Sequence, residues 1–210
     1  GSIIGSVGSL RDISDRIDAE NKVKEELKRI ANTDPLTGIA NRRVFFERLE
    51  EEIKRIRRAR GEFSMLLLDI DHFKKVNDSY GHDVGDYVLI EVGKVIQSCL
   101  REIDIPARLG GEEFGIFLPE TNAQGAIHVA ERVRAAIAKH TFMADASANR
   151  PIGCTVSIGI ASARFDDEVD ATRLYKSADT RLYVAKNSGR NQVCAEQSSS
   201  IARKTATPIH

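Results

Sequence analysis

The stretch Ile105-Pro106-Ala107-Arg108-Leu109-Gly110-Gly111-Glu112-Glu113-Phe114-Gly115-Ile116-Phe117-Leu118 contains two short apolar runs, 105–109 and 114–118, parted by two glycines and two glutamates. Runs of strand length joined by so short a Gly-rich connection predict a β-hairpin. The hairpin decides the fold class, because strands and helices alternate on either side of it. Upstream, 63–70 is an apolar run of strand length, the pattern of a buried central strand. After it, 83–100 places Val84, Val88, Val92 and Val95 at helical steps. Downstream, 123–140 is helical, with Ile127, Ala130, Val133 and Ile137 on one side. Residues 154–161 then alternate strictly: Cys154, Val156, Ile158 and Ile160 face one way, and Thr155, Ser157, Gly159 and Ala161 the other. The order β-α-β-β-α-β predicts an α+β sheet of the ferredoxin-like type.

Two more helices flank this unit. The first, 41–60, is capped by Asn41 and turns Val44, Phe45, Leu49, Ile53 and Ile56 inward. The second, 170–186, ends near Gly189, and 192–195 can add an edge strand. In Thr33-Asp34-Pro35-Leu36-Thr37-Gly38, Pro35 disfavours helix at Asp34, so a domain begins at 34 and runs to 197. Residues 14–33 precede it as a charged helix. Its narrow stripe of Val23, Leu27 and Ile30 is the seam of a short coiled coil, with Ile13 and Ile17 on a displaced stripe. That seam predicts a parallel dimer contact; the alternative is packing on its own domain. The Gly-, Ser- and Ile-rich opening, 1–13, reads as a strand over 3–13 entering from an upstream domain, with Gly1-Ser2 equally consistent with a tag. The polar, aperiodic tail 198–210 reads as disordered.

Charge sharpens the picture. The 210 residues carry 31 basic and 31 acidic side chains, a balance that argues against a nucleic-acid binder. The zero hides a pattern: net +3 over 1–60, −7 over 61–120, +2 over 121–197 and +2 in the tail. The longest wholly apolar run is 65–68, so no membrane span or signal peptide is expected and the chain should be cytoplasmic. Cys99, Cys154 and Cys194 are widely spaced and read as small core residues, not a disulfide or zinc set.

The acidic middle is where chemistry concentrates. Asp69-Ile70-Asp71 ends the central strand before a polar loop, 74–85, and two carboxylates two apart can hold a hard cation such as Mg²⁺ or cap the next turn. Glu112 and Glu113 sit at the hairpin tip. If the hairpin lies beside the Asp69 strand, three or four carboxylates converge, and a divalent cation would relieve their repulsion. Lys186 and Arg190, four apart near a helix C-terminus, can act together on an anion or simply complement the helix dipole. His72, His128, His140 and His210 show no ligand spacing.

Five motifs, in order, carry a family resemblance. Gly110 to Phe114 reads GGEEF, and Asp69 to Asp86 reads DIDHFKKVNDSYGHDVGD. Asp34-Pro35-Leu36-Thr37 with Asn41-Arg42-Arg43, the 154–161 strand, and Ala178-Asp179 through Lys186, Gly189, Arg190 and Asn191 complete the set. Over roughly residues 33–195 the chain resembles the GGDEF-domain diguanylate cyclases. The resemblance implies a nucleotidyl-cyclase-like palm that condenses two GTP into cyclic di-GMP and two pyrophosphates across a head-to-tail homodimer. It implies that Asp69 and Glu112 are catalytic, and that Asp69, the Ile70 carbonyl and Glu112, with Glu113 contributing, bind two Mg²⁺, for which Mn²⁺ could substitute. Asn77 and Asp86 would read guanine; Phe73, Lys74, Lys186 and Arg190 would meet the β- and γ-phosphates; His82 lies at another substrate position. Arg101 and Asp104 form an R-x-x-D pair six residues before Gly110, the spacing of the family's inhibitory product site. Residues 5–16 resemble the last strand and exit motif of a PAS sensor, which makes 14–32 a signalling helix. A non-catalytic GTP or cyclic di-GMP receptor is the rival reading; degraded carboxylates would favour it, and here they are intact.

Overall fold

A computed structural model describes residues 7–143, 151–168 and 170–195. The elements, in chain order, are α1 (Val7–Asn32), β1 (Ala40–Asn41), α2 (Arg42–Ala59), β2 (Glu62–Ile70), α3 (Phe73–Tyr80), α4 (His82–Ser98), β3 (Ile105–Gly110), β4 (Glu113–Pro119), α5 (Ala123–Lys139), β5 (Phe142–Met143), β6 (Pro151–Ile152), β7 (Val156–Arg164), α6 (Ala171–Asn187) and β8 (Val193–Cys194).

The main sheet has the order β1-β3-β4-β2-β7-β8. Its four inner strands are those of the βαββαβ unit, with the first and last side by side in the middle and the hairpin beside the first. Strand β2 is antiparallel to both neighbours, β4 and β7, and everything along it from Phe63 to Ile70 is buried. The two faces of the sheet have separate cores, which is why β2 and β7 are apolar on both sides. On one face Leu66, Leu68, Ile70, Ile116 and Ile158 meet α3, α4 and α5 through Val76, Val88, Val92, Val133 and Ile137. On the other Phe63, Met65, Leu67 and Ala161 meet α2 and α6 through Phe45, Leu49, Ile53, Leu174 and Leu182. The alternation predicted for 154–161 holds: Cys154, Val156, Ile158 and Ile160 share the first core, and Ala161 the second.

Two expectations need correction. Residues 7–13 are helical, not a strand, and α1 is continuous through the predicted signalling helix; 1–6 lie outside the described residues. Once a helix is nucleated further along, each added residue gains a hydrogen bond, so glycine and serine at its start do not stop it. The part of the PAS-like match read as a last strand is therefore helical from Val7 onward. Part of the loop predicted over 74–85 is α3, a polar helix of about two turns held by Phe73 and Val76, both buried. The tail, 198–210, lies outside the described residues. The stripe on α1 faces away from its own domain: Ile17, Val23, Leu27 and Ile30 are all exposed. No helix among the described residues is long and apolar enough to cross a membrane.

The junction of α1 with the domain is densely hydrogen-bonded. The Ala31 carbonyl, otherwise orphaned at the helix end, accepts from Asn41 Nδ2 at 2.8 Å and Arg43 Nη2 at 2.7 Å. Asn41 also caps α2, accepting the Val44 amide at 3.1 Å. In the turn that follows α1, Asp34 Oδ1 accepts the Thr37 amide at 2.9 Å and its hydroxyl at 2.7 Å. Burial alone would raise the Asp34 carboxyl, but those two bonds and the Arg108 guanidinium at 3.3 Å outweigh it and hold the pKa below the ordinary range.

Candidate active site

Strand register brings the acidic motifs together. Asp69, the penultimate residue of β2, lies directly opposite Glu113 on β4 and Ser157 on β7. The Ile70 amide donates to the Glu112 carbonyl at 3.4 Å, so the hairpin turn stands beside the strand end, as the sequence required for convergence. Gly110 and Gly111, at φ of 146° and 51°, supply the left-handed backbone that makes the turn. Arg108 fixes it from behind. Its guanidinium donates to the Gly111 carbonyl at 3.0 and 2.9 Å and to Asp34, tying the turn after α1 to the turn that carries Glu112.

Asp69 is buried, and Lys186 Nζ, in the last turn of α6, stands 2.7 Å from its Oδ2. Burial pushes the Asp69 carboxyl above its ordinary pKa, and the Asp71 charge adds to this, while the bond to Lys186 and the charge of Arg190 oppose it. Glu112 is raised as well, first by burial and then by the neighbouring Asp69 and Glu113 charges, with Lys186 opposing. Both groups therefore favour a compensating cation. Among the described residues no three His, Cys, Asp or Glu side chains are gathered as a ready-made metal cluster. The expected convergence of three or four carboxylates thus reduces to Asp69 and Glu112 around a lysine, with Glu113 adjoining. The donor set of Asp69 carboxylate, Ile70 carbonyl and Glu112 carboxylate is all hard oxygen, which suits Mg²⁺.

Asp71 does not join that set. Its carboxylate accepts from Thr155 Oγ1 and Ser157 Oγ, each at 2.7 Å, and from the Asn191 amide at 3.0 Å, so it serves the fold rather than a cation. Arg190 also differs from expectation. Helix α6 ends at Asn187, and Arg190 lies beyond it in a left-handed loop, at φ 62°, yet its charge still acts on Asp69 alongside Lys186.

The remaining predicted residues cluster at the α3–α4 corner. Asn77 on α3 packs so tightly on Gly85 of α4 that a Cβ there would collide with its Oδ1. Asp86 follows Gly85 and is exposed; His82 opens α4, also exposed. Lys74 is exposed on the first turn of α3, whereas the Phe73 ring is 6% exposed and belongs to the core. What Phe73 can offer a phosphate is its main-chain amide, one of the four that a helix start leaves unbonded.

Arg101 and Asp104 sit in the connection between α4 and β3, closed on each other. Arg101 Nη2 stands 2.7 Å from Asp104 Oδ1 and 2.8 Å from Thr121 Oγ1, and the Arg101 amide donates to Asp104 Oδ2 at 2.9 Å. The Asp104 side chain is 0% exposed while that of Arg101 is 49% exposed. As arranged, the Asp104 carboxylate is covered and the arginine is the exposed member of the pair.

Two functional contacts escaped the sequence reading: the Asp71 carboxylate bonds and the Arg108 bridge. The hydroxyls of Thr155 and Ser157, on one face of an alternating strand, were the available signal for the first.

Residues 31–192 match the family described as "Diguanylate cyclase, GGDEF domain". The chain belongs to the GGDEF-domain family. A diguanylate cyclase of Vibrio cholerae is 37% identical over 194 residues, covering 92% of this chain and 57% of the relative. Diguanylate cyclase A of Treponema denticola is 42% identical over 172 residues, covering 80% of this chain and 45% of the relative. The chain thus spans about half the length of these curated relatives. Among solved structures, the coiled coil and GGDEF domain of DgcB from Caulobacter crescentus, in complex with c-di-GMP, superposes with a TM-score of 0.81 at 30% identity. That likeness covers 90% of this chain and 98% of the other. The α+β GGDEF palm read from the hairpin is the fold found.

Proposed function

We propose that the chain is the catalytic module of a diguanylate cyclase, joining two GTP into cyclic di-GMP with loss of two pyrophosphates. The observation that carries this reading is the intact, register-locked placement of Asp69 beside the GGEEF turn, with Lys186 and Arg190 charges on the same carboxylate. A receptor that had lost catalysis would have no need to keep a buried Asp69 and a half-buried Glu112 whose ionisation is opposed by their surroundings.

Asp69, the Ile70 carbonyl and Glu112 would hold two Mg²⁺, with Glu113 contributing; bound there, the cations supply neutralisation of the triphosphate and a lowered pKa for the attacking 3′-hydroxyl. Lys186, 32% exposed, is free to swing from Asp69 to the terminal phosphates, joined by Arg190, Lys74 and the Phe73 amide. Asn77 and Asp86 would read guanine, Asp86 accepting from the N1 and N2 donors that adenine lacks, and His82 borders the same corner. With one GTP held per copy, the reaction would need a second copy facing the first, so that one 3′-hydroxyl meets the other α-phosphate in line. The exposed stripe of Val23, Leu27 and Ile30 would bring the copies together as a parallel coiled coil. A GTP substrate would place the reaction in the cytoplasm. Incubation with GTP and Mg²⁺, followed by chromatography for the linear intermediate and the cyclic product, tests the reading; bound GTP without either product would favour the receptor.

The Arg101–Asp104 pair would bind cyclic di-GMP as product inhibitor, the guanidinium gripping phosphate or stacking on guanine after leaving Asp104. Arg101→Ala is expected to weaken inhibition about tenfold or more, the scale of a charge-assisted hydrogen bond. Because Asp104 keeps the Arg101 backbone amide, the fold and turnover should survive. Inhibition measured at several product concentrations checks this, and unchanged inhibition would exclude the site.

Proton linkage gives a further expectation. A raised carboxyl pKa means that Asp69 and Glu112 take up protons at a higher pH than ordinary acids, so as the pH is lowered cation affinity should begin to fall before the usual carboxylate value of about 4 is reached. Carboxyl-carbon NMR titration of the metal-free chain would show both groups above their ordinary values; ordinary values would refute the electrostatic description.

A further inference from the structure

The loop that carries Arg190 adopts a conformation its own residues disfavour. Gly189, Arg190 and Asn191 have φ of 114°, 62° and 45° in succession, and the last two carry a Cβ. Such backbone persists where its surroundings over-determine it. Several anchors meet here: the Arg190 amide donates to the Ala185 carbonyl at 3.1 Å, and Arg134 Nη1 to Asn191 Oδ1 at 2.8 Å. The first comes from α6 and the second from α5. A third, Asp71 Oδ2, accepts the Asn191 amide at 3.0 Å and comes from the segment that carries Asp69.

The Asp71 carboxylate is itself pinned. Oδ2 accepts the Thr155 hydroxyl at 2.7 Å as well as the Asn191 amide at 3.0 Å, and Oδ1 accepts the Ser157 hydroxyl at 2.7 Å. The Asp71 amide donates to the Thr155 carbonyl at 2.9 Å, so backbone and side chain are both fixed against the start of β7. Asp71 is 7% exposed, which keeps water from competing for those bonds. The result is a short rigid path from Asp69, through Asp71, to the residue after Arg190.

We propose that Asp71 is a positioning residue for Arg190: held by Thr155 and Ser157, its carboxylate clamps the loop amide next to Arg190 and so sets where the guanidinium stands relative to Asp69. What Arg190 grips, the terminal phosphates of a nucleoside triphosphate, rests on the cyclase reading; the clamp does not.

The test compares Asp71→Ala with Asp71→Asn, each alone and with Arg190→Ala. Asparagine can keep the Thr155 and Asn191 bonds with its carbonyl oxygen and donate its amide to Ser157 Oγ, so it should rescue. Amide hydrogen exchange in the metal-free chain should accelerate about tenfold or more over 189–191 in Asp71→Ala and stay near wild type in Asp71→Asn. With Mg²⁺ and GTP, Asp71→Ala should raise KM about tenfold with a smaller change in kcat, and should add nothing in the Arg190→Ala background. Unchanged exchange in Asp71→Ala, or full additivity with Arg190→Ala, would overturn the clamp. If Asp71→Ala does not fold, Thr155→Val removes one pin, and exchange over 189–191 that stays at the wild-type rate overturns it equally. A wild-type chain that turns over no GTP defeats the cyclase reading while the exchange experiment still decides the clamp.

Discussion

Asp69→Asn and Glu112→Ala will each lower the rate of cyclic di-GMP formation by about a thousandfold or more, without unfolding the chain. Each removes an anionic oxygen from the set proposed to hold the cations, and charge stabilisation by such a set is worth several kcal/mol at the transition state, where every 1.36 kcal/mol or so is a tenfold change in rate. The stability half of the prediction follows from the direction of the pKa shift. The folded state raises the Asp69 carboxyl, chiefly by burial, so the ionised group is held at the expense of folding. Lys186 is not stranded by the loss, because its side chain is 32% exposed and can reach water. A thermal melt of Asp69→Asn should therefore match or exceed that of the wild type, the pattern expected when a site trades stability for activity. Retained turnover in either variant would remove that residue from the chemistry.

Gly159→Ala will destabilise the fold by about 3 kcal/mol or more, a large value for one methyl group but the upper range of overpacking in a closed core. A Cβ at Gly159 would run into the Ala178 carbonyl and the Leu182 amide, and would stand 2.9 Å from the Leu182 Cα. All of these are backbone atoms of α6, so no side chain can rotate away. The helix would have to lift from β7, and Lys186, one turn beyond Leu182, would move with it. For a domain of this size the loss corresponds to a fall in melting temperature of roughly 10 °C. A melt within about two degrees of wild type would show that α6 does not approach the sheet as closely as described.

How far the sequence could be read depended on whether local pattern or distant contact fixed each feature. The hairpin, the central strand and β7 were legible because alternation and glycine chemistry are local, and because residues buried on both faces leave little but apolar side chains. The pairing of Asp69 with the hairpin turn followed once the strand order was right, since register places Asp69 opposite Glu113. Helix α3 was not legible: six of its eight residues are polar or aromatic-polar, and its helical state depends on Phe73 and Val76 reaching a core assembled from elsewhere. The start of α1 was misread for the complementary reason, since glycine, serine and isoleucine favour other states locally, and only continuity with the helix that follows overrides them. At the site, residue types told which carboxylates were chemical but not how they divide. Asp69 and Asp71 look equivalent in DID, yet one meets Lys186 and the other Thr155, Ser157 and the Asn191 amide, a distinction set by partners 84 to 120 residues away. The burial of Asp104 beneath Arg101 has the same origin, because Thr121 and the Pro119 carbonyl, which complete the arginine's contacts, belong to the end of β4 and its exit.

The most direct measurement is the initial rate of cyclic di-GMP and pyrophosphate release from GTP and Mg²⁺ over a series of chain concentrations. The predicted result is two pyrophosphates per cyclic product, with a specific activity that rises with concentration as copies pair. GTP that binds and is recovered unchanged at every concentration would contradict the account.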